Sequence, residues 1–240
     1  MVKFYELSFS YDYSFPAVTL AYFLRYPNPY SRHVLSTDVI SRELDASGRL
    51  HTVRIHRKRT RLPSAVLKFL PQSVLGSVSG GRSESYVLER STVDIKEGWM
   101  RTESKNLDWT GILSVVEKQE YRRLSPMKPG EDFGIDADTT SVLSTVIFRS
   151  RMGDRLRARS EKAGDQAALD TQDEAKKTFL TRWSTSGVQK SIEAIARHRS
   201  ENLLGKSKQG MVVVLERLRS GGLIAVLEGM RRDRDVAQPL

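Results

Sequence analysis

Alternating apolar and polar residues open the chain and predict a half-buried strand over residues 2–11. Apolar residues then recur with helical spacing from Ala17 to Leu24. Ser14 stands where a helix N-cap is expected, Pro16 suits the first turn, and Pro27 ends the pattern. The chain is therefore expected to begin as strand then helix.

Six further alternating segments predict more strands, over residues 33–44, 49–60, 84–94, 97–107, 110–124 and 140–151. The charge-mixed run at about 152–180 has few large apolar residues and predicts a polar insertion, disordered or weakly helical. A long helical pattern follows and stops at Gly221–Gly222, after which a short tail helix is expected. Clustered strands with helices at the ends predict an α+β fold, a curved antiparallel sheet of about seven strands under a long C-terminal helix, which can enclose an apolar tunnel.

Composition narrows the class of protein. The 240 residues are 39% hydrophobic and 28% charged, carry a net charge of +10 and include no cysteine. No segment predicts a membrane span, and the first residues predict neither a secretory signal nor a transit peptide. The positive charge favours anionic partners, whether nucleic acid, an anionic membrane or an acidic protein.

The stretch RYPNPYSRHVLS, residues 25–36, predicts a stiff connector between the first helix and the next strand. Pro27 and Pro29 fix their own backbone and keep the preceding residues out of the helical region. Such a connector would hold Arg25 and His33 in a set geometry. An ordinary Pro-Asn-Pro turn is the alternative interpretation.

Three motifs resemble the PRELI-domain (Ups/PRELI/slowmo) family: RYPNPYS with HVLS, ISREL at residues 40–44, and a TxSxNLxxTGI pattern at residues 102–112. Arg32 is a departure, because the family often has proline there. The resemblance covers about residues 1–151 and 183–218, and predicts a lipid-transfer domain over 1–218 followed by a tail at 219–240.

This resemblance implies a phosphatidylinositol-transfer/START-like fold and the transfer of phospholipids across the mitochondrial intermembrane space. The chain is most similar to the branch that transfers phosphatidic acid in support of cardiolipin synthesis. Phosphatidylserine transfer by the same fold is the close alternative. No catalytic residue and no cofactor is expected in either case.

A basic strand supplies the next candidates. Alternation places Arg54, His56 and Lys58 on one face, and three cationic groups there would repel one another unless an anion lay nearby. A solvated edge is the alternative. The resemblance implies that Lys58 and Arg61 line the headgroup end of the tunnel, beside Arg25 and His33.

On the long helix, Arg199 and Lys206 lie two turns apart on a largely apolar stripe. Cations there need a partner or must reach the solvent at the helix end. The resemblance implies a lipid phosphate as that partner. The family has an asparagine where this chain has Leu203, with Asn202 adjacent.

The apolar segment 62–75, bounded by Pro63 and Pro71, is either a packed connector or a lid that opens at a membrane, as the resemblance implies. The lid residues would be Leu62, Val66, Leu67, Phe69 and Leu70. The resemblance also implies transient binding to anionic membranes and a 1:1 complex with a small helical partner that carries twin Cys-x9-Cys motifs.

Other functions are less well supported by the sequence. A basic nucleic-acid-binding module would suit the charge, but the chain has no RNP-type aromatic strand or zinc knuckle. The four histidines show no metal-ligand spacing, so no metal site is expected, and GxSxG, Walker and GxGxxG motifs are missing. We therefore expect neither nucleic acid as a partner nor an enzymatic activity.

Overall fold

A computed structural model describes residues 2–61, 82–108, 110, 113–124, 138–150 and 174–237, with side chains described outside 60–61, 82, 150, 174–204 and 237. The elements in chain order are β1 (Val2–Tyr11), α1 (Phe15–Phe23), β2 (Val34–Leu44), β3 (Leu50–Arg61), β4 (Arg82–Asp94), β5 (Trp99–Asn106), β6 (Leu113–Arg123), β7 (Thr140–Ser150) and α2 (Glu174–Ala237).

The seven strands form one curved antiparallel sheet in the order β1-β7-β6-β5-β4-β3-β2. Strands β2 to β6 each pair with the next strand along the chain, and β1 closes the far edge against β7. The predicted α+β class and the seven strands are confirmed. Strand β5 starts two residues later than predicted, because the turn before it ends at Gly98, whose φ of 70° suits glycine.

The helices agree with the sequence in position but differ in detail. Ser14 is the N-cap of α1 and a proline lies in the first turn, as predicted, although the Ser14 side chain makes no cap hydrogen bond. Helix α2 begins at Glu174, inside the span predicted as a polar insertion. Its backbone leaves helical geometry at Gly221 and Gly222 and then resumes, which confirms the predicted break and tail helix.

One face of the sheet carries most of the buried strand residues, and we call it the inner face. Residues paired across antiparallel strands share a face, so the strand register divides the inner face into rows that cross the sheet. The first, the apolar row, contains Phe9, Leu50, Val93, Met100, Tyr121 and Val142. The second, the polar row, contains Thr52, Ser91, Thr102, Gln119 and Ser144. The third, the charged row, contains Arg54, Glu89, Ser104 and Glu117.

The hydrophobic core lies on the apolar row. Helix α1 contributes Phe15, Val18 and Ala21, all fully buried, and α2 packs beside it through Val214 and Leu215. Full burial of each such side chain contributes about 1.5–3 kcal/mol. Because the core ends at the polar row, the charged row lies beyond the core but still on the inner face.

Candidate functional site

Four ionisable side chains meet where the loop after α1 approaches the charged row, and we call them the buried charge cluster: Arg25, Arg54, His56 and Glu89. Arg25 donates to Glu89 Oε2 at 2.5 Å, and Arg54 Nε donates to Oε1 at 2.8 Å. His56 Nε2 lies 3.1 Å from Oε2. A single carboxylate therefore serves two guanidinium groups and one imidazole.

Aromatic rings and a carbonyl surround the two arginines. The Arg25 guanidinium lies 3.9 Å from the centroid of the Tyr22 ring and 4.8 Å from that of Tyr26. Arg54 lies 5.0 Å from the Phe23 ring and donates to the Phe23 carbonyl at 3.0 Å. Cation–π contacts of this kind offset part of the cost of removing a guanidinium from water. The C-terminal end of α1 thus covers the cluster.

The proline-rich connector positions Arg25, as the sequence predicted. The Tyr26–Pro27 peptide bond, directly after Arg25, is cis. Asn28 is buried, donates to the Arg25 carbonyl at 2.6 Å and accepts from the Tyr30 amide at 2.9 Å. Helix α2 approaches closely here, since a Cβ added at Gly210 would lie 2.9 Å from the Asn28 amide. The connector is therefore held both by the hydrogen bonds of its own Asn28 and by its close contact with α2.

Protonation in the cluster follows from burial and charge. Burial alone would raise the pKa of Glu89, but Arg25, the His56 hydrogen bond and Arg54 together hold it well below its usual range. Burial lowers the pKa of His56 despite its contact with Glu89. A neutral His56 donates from Nε2 to Glu89, and its Nδ1 accepts from the Thr37 hydroxyl at 2.9 Å.

The cluster has an excess of positive charge. Two guanidinium groups face one carboxylate, and the buried Arg25 Nε has no hydrogen-bond partner among the residues that the structure describes. Lys58, half-buried two residues after His56, adds a further cation on the same face. Buried cations without a matching anion cost several kcal/mol, so this part of the inner face suits an anionic ligand.

Strand pairing brings several of the residues predicted for the site together. Arg59 donates its amide to the His33 carbonyl at 2.7 Å, which places His33 beside the end of β3 that holds Lys58. His33 itself is exposed. Arg61 is the last residue of β3, and its side chain lies outside the described part.

Of the two helix residues predicted for the site, one has an exposed side chain and the other has a side chain that is not described. Lys206 is exposed and lies one turn before Gly210, the point where α2 touches the connector. Arg199 belongs to α2, but its side chain is not described. The predicted lid residues, Leu62, Val66, Leu67, Phe69 and Leu70, all lie outside the described residues.

Glu89 and Glu117 are absent from the residues predicted for the site. The predicted face of Arg54, His56 and Lys58 required a nearby anion, and Glu89 is that anion. The available signal was alternation along β4, where Ser85, Glu89 and Ser91 share a buried face. Glu117 enters the same face from β6.

No helix in the described part of the chain is long and apolar enough to cross a membrane.

The model of the PRELI-like family matches residues 16–154, more than half of the chain. The mitochondrial protein UPS1 of Saccharomyces cerevisiae is 39% identical over 218 residues, which cover 91% of this chain and 95% of that protein.

The mitochondrial PRELI domain-containing protein 1 of Gallus gallus is 36% identical over 105 residues, 44% of this chain and 46% of that protein. Among solved structures, the Streptomyces Zhui aromatase/cyclase aligns with a TM-score of 0.44 and 14% identity, over 93% of this chain and all of that one. The sequence matches confirm the resemblance drawn from the motifs: the chain belongs to the PRELI-like family.

Proposed function

We propose that this protein takes phosphatidic acid from one mitochondrial membrane and delivers it to the other across the intermembrane space, in support of cardiolipin synthesis. It binds the lipid without making or breaking a covalent bond. The observation that carries the proposal is the excess of positive charge on the inner face, where Arg25 and Arg54 share Glu89 and Lys58 lies close by.

The physical task fits the two kinds of surface that the molecule combines. Each methylene of an acyl chain costs about 0.8 kcal/mol when exposed to water, so a carrier must cover the chains. A phosphate also needs donors and positive charge once it leaves water. A curved sheet covered by helices can shield the acyl chains from water, and the cations at its charged row can supply the positive charge that the phosphate needs.

The location of the cations favours a lipid over nucleic acid. Arg25 and Arg54 are buried beneath α1, where a polynucleotide backbone has no access. A nucleic-acid interface instead places its arginines and lysines on an exposed surface. A lipid headgroup is small enough to approach from within the covered face.

Membership of the PRELI-like family and relatives named as mitochondrial support the location. We further propose transient binding to anionic membranes and a 1:1 complex with a small helical partner bearing twin Cys-x9-Cys motifs. The net charge of +10 suits an acidic partner. Co-expression with such a partner should raise the yield of soluble protein, whereas a soluble monomer indifferent to it would contradict this part.

The transfer of fluorescent lipid between vesicles tests the main proposal. Donor vesicles would carry phosphatidic acid, phosphatidylserine or phosphatidylcholine with matched acyl chains. We expect phosphatidic acid to be transferred fastest and phosphatidylcholine slowest. Lys58→Gln should slow phosphatidic acid transfer strongly, because it removes a cation from the inner face. Lys118→Gln is the matched control, since Lys118 is exposed and pairs with the half-buried Glu103 on the other face of the sheet.

Each outcome of the assay has a distinct meaning. Faster transfer of phosphatidylserine than of phosphatidic acid would show that phosphatidylserine, the close alternative, is the cargo. Transfer of phosphatidylcholine at the same rate as phosphatidic acid would contradict the role of the inner cations. RNA binding at physiological salt with no lipid transfer would overturn the proposal.

A further inference from the structure

The charged row contains a second carboxylate, Glu117, which the buried charge cluster does not use. Strand register places Glu89, Ser104 and Glu117 side by side on β4, β5 and β6. Neighbouring strands lie about 4.8 Å apart, so the backbones at Glu89 and Glu117 are roughly 10 Å apart. Glu117 therefore lies across the inner face from the cluster.

Neutral groups hold the Glu117 side chain. Gln119 Nε2 donates to Glu117 Oε1 at 2.9 Å, and the Tyr121 hydroxyl fixes Gln119 by donating to its Oε1 at 2.8 Å. Within the described part of the chain, no cation lies within ion-pair distance of Glu117. A carboxylate on an enclosed face usually has a cationic partner or several donors, and Glu117 has a single amide.

The groups around Glu117 act on it in opposite directions. Burial raises the pKa of Glu117, Arg25 and Lys58 lower it, and Glu89 raises it again. Tyr121, the titratable neighbour on β6, stays neutral because burial raises its own pKa well above 10. His56 is neutral as well. The side chain nevertheless keeps some accessible surface, so protons from solvent can reach it.

The charge of the inner face depends on the state of Glu117. The cations that act on Glu117 or pair with Glu89 are Arg25, Arg54 and Lys58. Together with Glu89, this group of side chains has two excess positive charges when Glu117 is protonated and one when it is ionised. A phosphate monoester carries up to two negative charges, whereas a phosphodiester with a neutral alcohol carries one.

We propose that Glu117 adapts the site to the charge of the headgroup, taking up a proton when a phosphate monoester binds and staying ionised when a phosphodiester binds. The proton comes from bulk solvent and goes to the Glu117 carboxyl, and the lipid is unchanged. This inference rests on the proposed function. It makes Glu117 a residue that determines specificity, beyond the cations that attract the phosphate.

The first test is proton uptake by the full chain. Calorimetry with soluble short-chain phosphatidic acid, in two buffers of different ionisation enthalpy, measures the protons taken up on binding. On binding the lipid at pH 7.5, Glu117→Gln should take up fewer protons than the original protein, by as much as one proton per molecule. Glu117→Asp retains a titratable carboxyl and should keep the uptake.

The second test is specificity between two lipids. Phosphatidic acid is a monoester and phosphatidylglycerol a diester, and their transfer rates would be compared with matched acyl chains at pH 6 and 8. Removing one charge at about 10 Å should raise the ratio of phosphatidic acid to phosphatidylglycerol roughly tenfold in Glu117→Gln at pH 8. Glu103→Gln, in the pair with Lys118 on the other face of the sheet, is the control and should leave the ratio unchanged.

Failure of this inference is distinguishable from failure of the proposed function. A Glu117→Gln protein that transfers lipid with an unchanged ratio and unchanged proton uptake would overturn the role of Glu117 alone. Transfer of neither lipid by the unchanged protein would overturn the proposed function and this inference together. Because glutamine can still accept the amide of Gln119, Glu117→Gln should remain folded, which circular dichroism would check.

Discussion

The apolar row and the charged row lie on the same face of the same sheet, only four residues apart along each strand, and they differ in nearly every physical respect. Met100 and Tyr121 in the apolar row pack against α1 and α2 with almost no exposure. Glu89 in the charged row is equally buried but is held by two arginines and a histidine. The first arrangement lowers the free energy of the fold by burial, whereas the second has a desolvation cost that its contacts must offset.

This difference separates folding from binding. A protein that needed only stability would continue the apolar row, since replacing buried ion pairs with well-packed apolar residues is often neutral or stabilising. The retained excess of cations is therefore best explained by a ligand. The polar row lies between them and separates the two environments, and its Thr52 and Ser91 hydroxyls have no hydrogen-bond partner in the described part of the chain.

Removal of Glu89 should have the largest effect. Glu89→Ala leaves Arg25 and Arg54 buried without their carboxylate, which should lower the free energy of unfolding by about 3–5 kcal/mol. Urea unfolding measures this change. Glu84→Ala is the control, because Glu84 pairs with Arg57 while both are exposed, and it should cost about 1 kcal/mol or less. Equal effects of the two variants would mean that the buried charge cluster contributes no more than a surface pair.

A cavity in the apolar row should destabilise the protein without altering the site. Met100→Ala removes a fully buried side chain and should cost about 2–5 kcal/mol. At a temperature where the variant remains folded, its affinity for phosphatidic acid should stay within about twofold of the original. A large loss of affinity in the folded variant would show that the two rows are coupled, contrary to the separation argued above.

Lowering the pH should reduce the free energy of unfolding through the buried charge cluster, because the apolar row has no group that titrates in this range. Below pH 6.5 His56 becomes protonated in the unfolded chain but stays neutral in the folded chain, since burial lowers its pKa there. Stability should therefore fall with decreasing pH, by up to about 1.4 kcal/mol per pH unit for this residue. The lowered pKa of Glu89 adds stability that is complete above about pH 4.5 and is lost at lower pH.

The matched variant for this pH effect is His56→Gln. Its unfolding free energy should change less between pH 6.5 and 5 than that of the unchanged protein. The exposed His51 pairs with Asp45 and serves as the control position. If His56→Gln and the original protein lost stability in parallel over this range, another group would be responsible.

The sequence predicted the elements well because period-two alternation and the signals of Pro16 and Pro27 are local. It also predicted that Arg54, His56 and Lys58 share a face and require an anion. The identity of that anion depended on the register between β3 and β4, which pairs Arg54 with Glu89. Register is a long-range property, so alternation along β4 could place Glu89 on one face of its strand but could not show that this face meets Arg54.

The partner of Arg25 was likewise impossible to predict from the sequence. The prolines predicted a fixed position for it, and the resemblance predicted contact with a headgroup. Its pairing with Glu89 could not be predicted, because sixty-four residues separate the two in the chain. The helix residues Arg199 and Lys206 stay predictions for lipid contact.

The most direct test of the central claim is stabilisation of the folded protein by a soluble lipid. Short-chain phosphatidic acid at a hundred times its dissociation constant should raise the free energy of unfolding by about 2.7 kcal/mol, and phosphatidylcholine of the same chain length should raise it far less. Lys58→Gln should lose most of this gain and Lys118→Gln none of it. Equal stabilisation by the two lipids, or an undiminished gain in Lys58→Gln, would contradict the claim that the charged inner face binds an anionic phosphate.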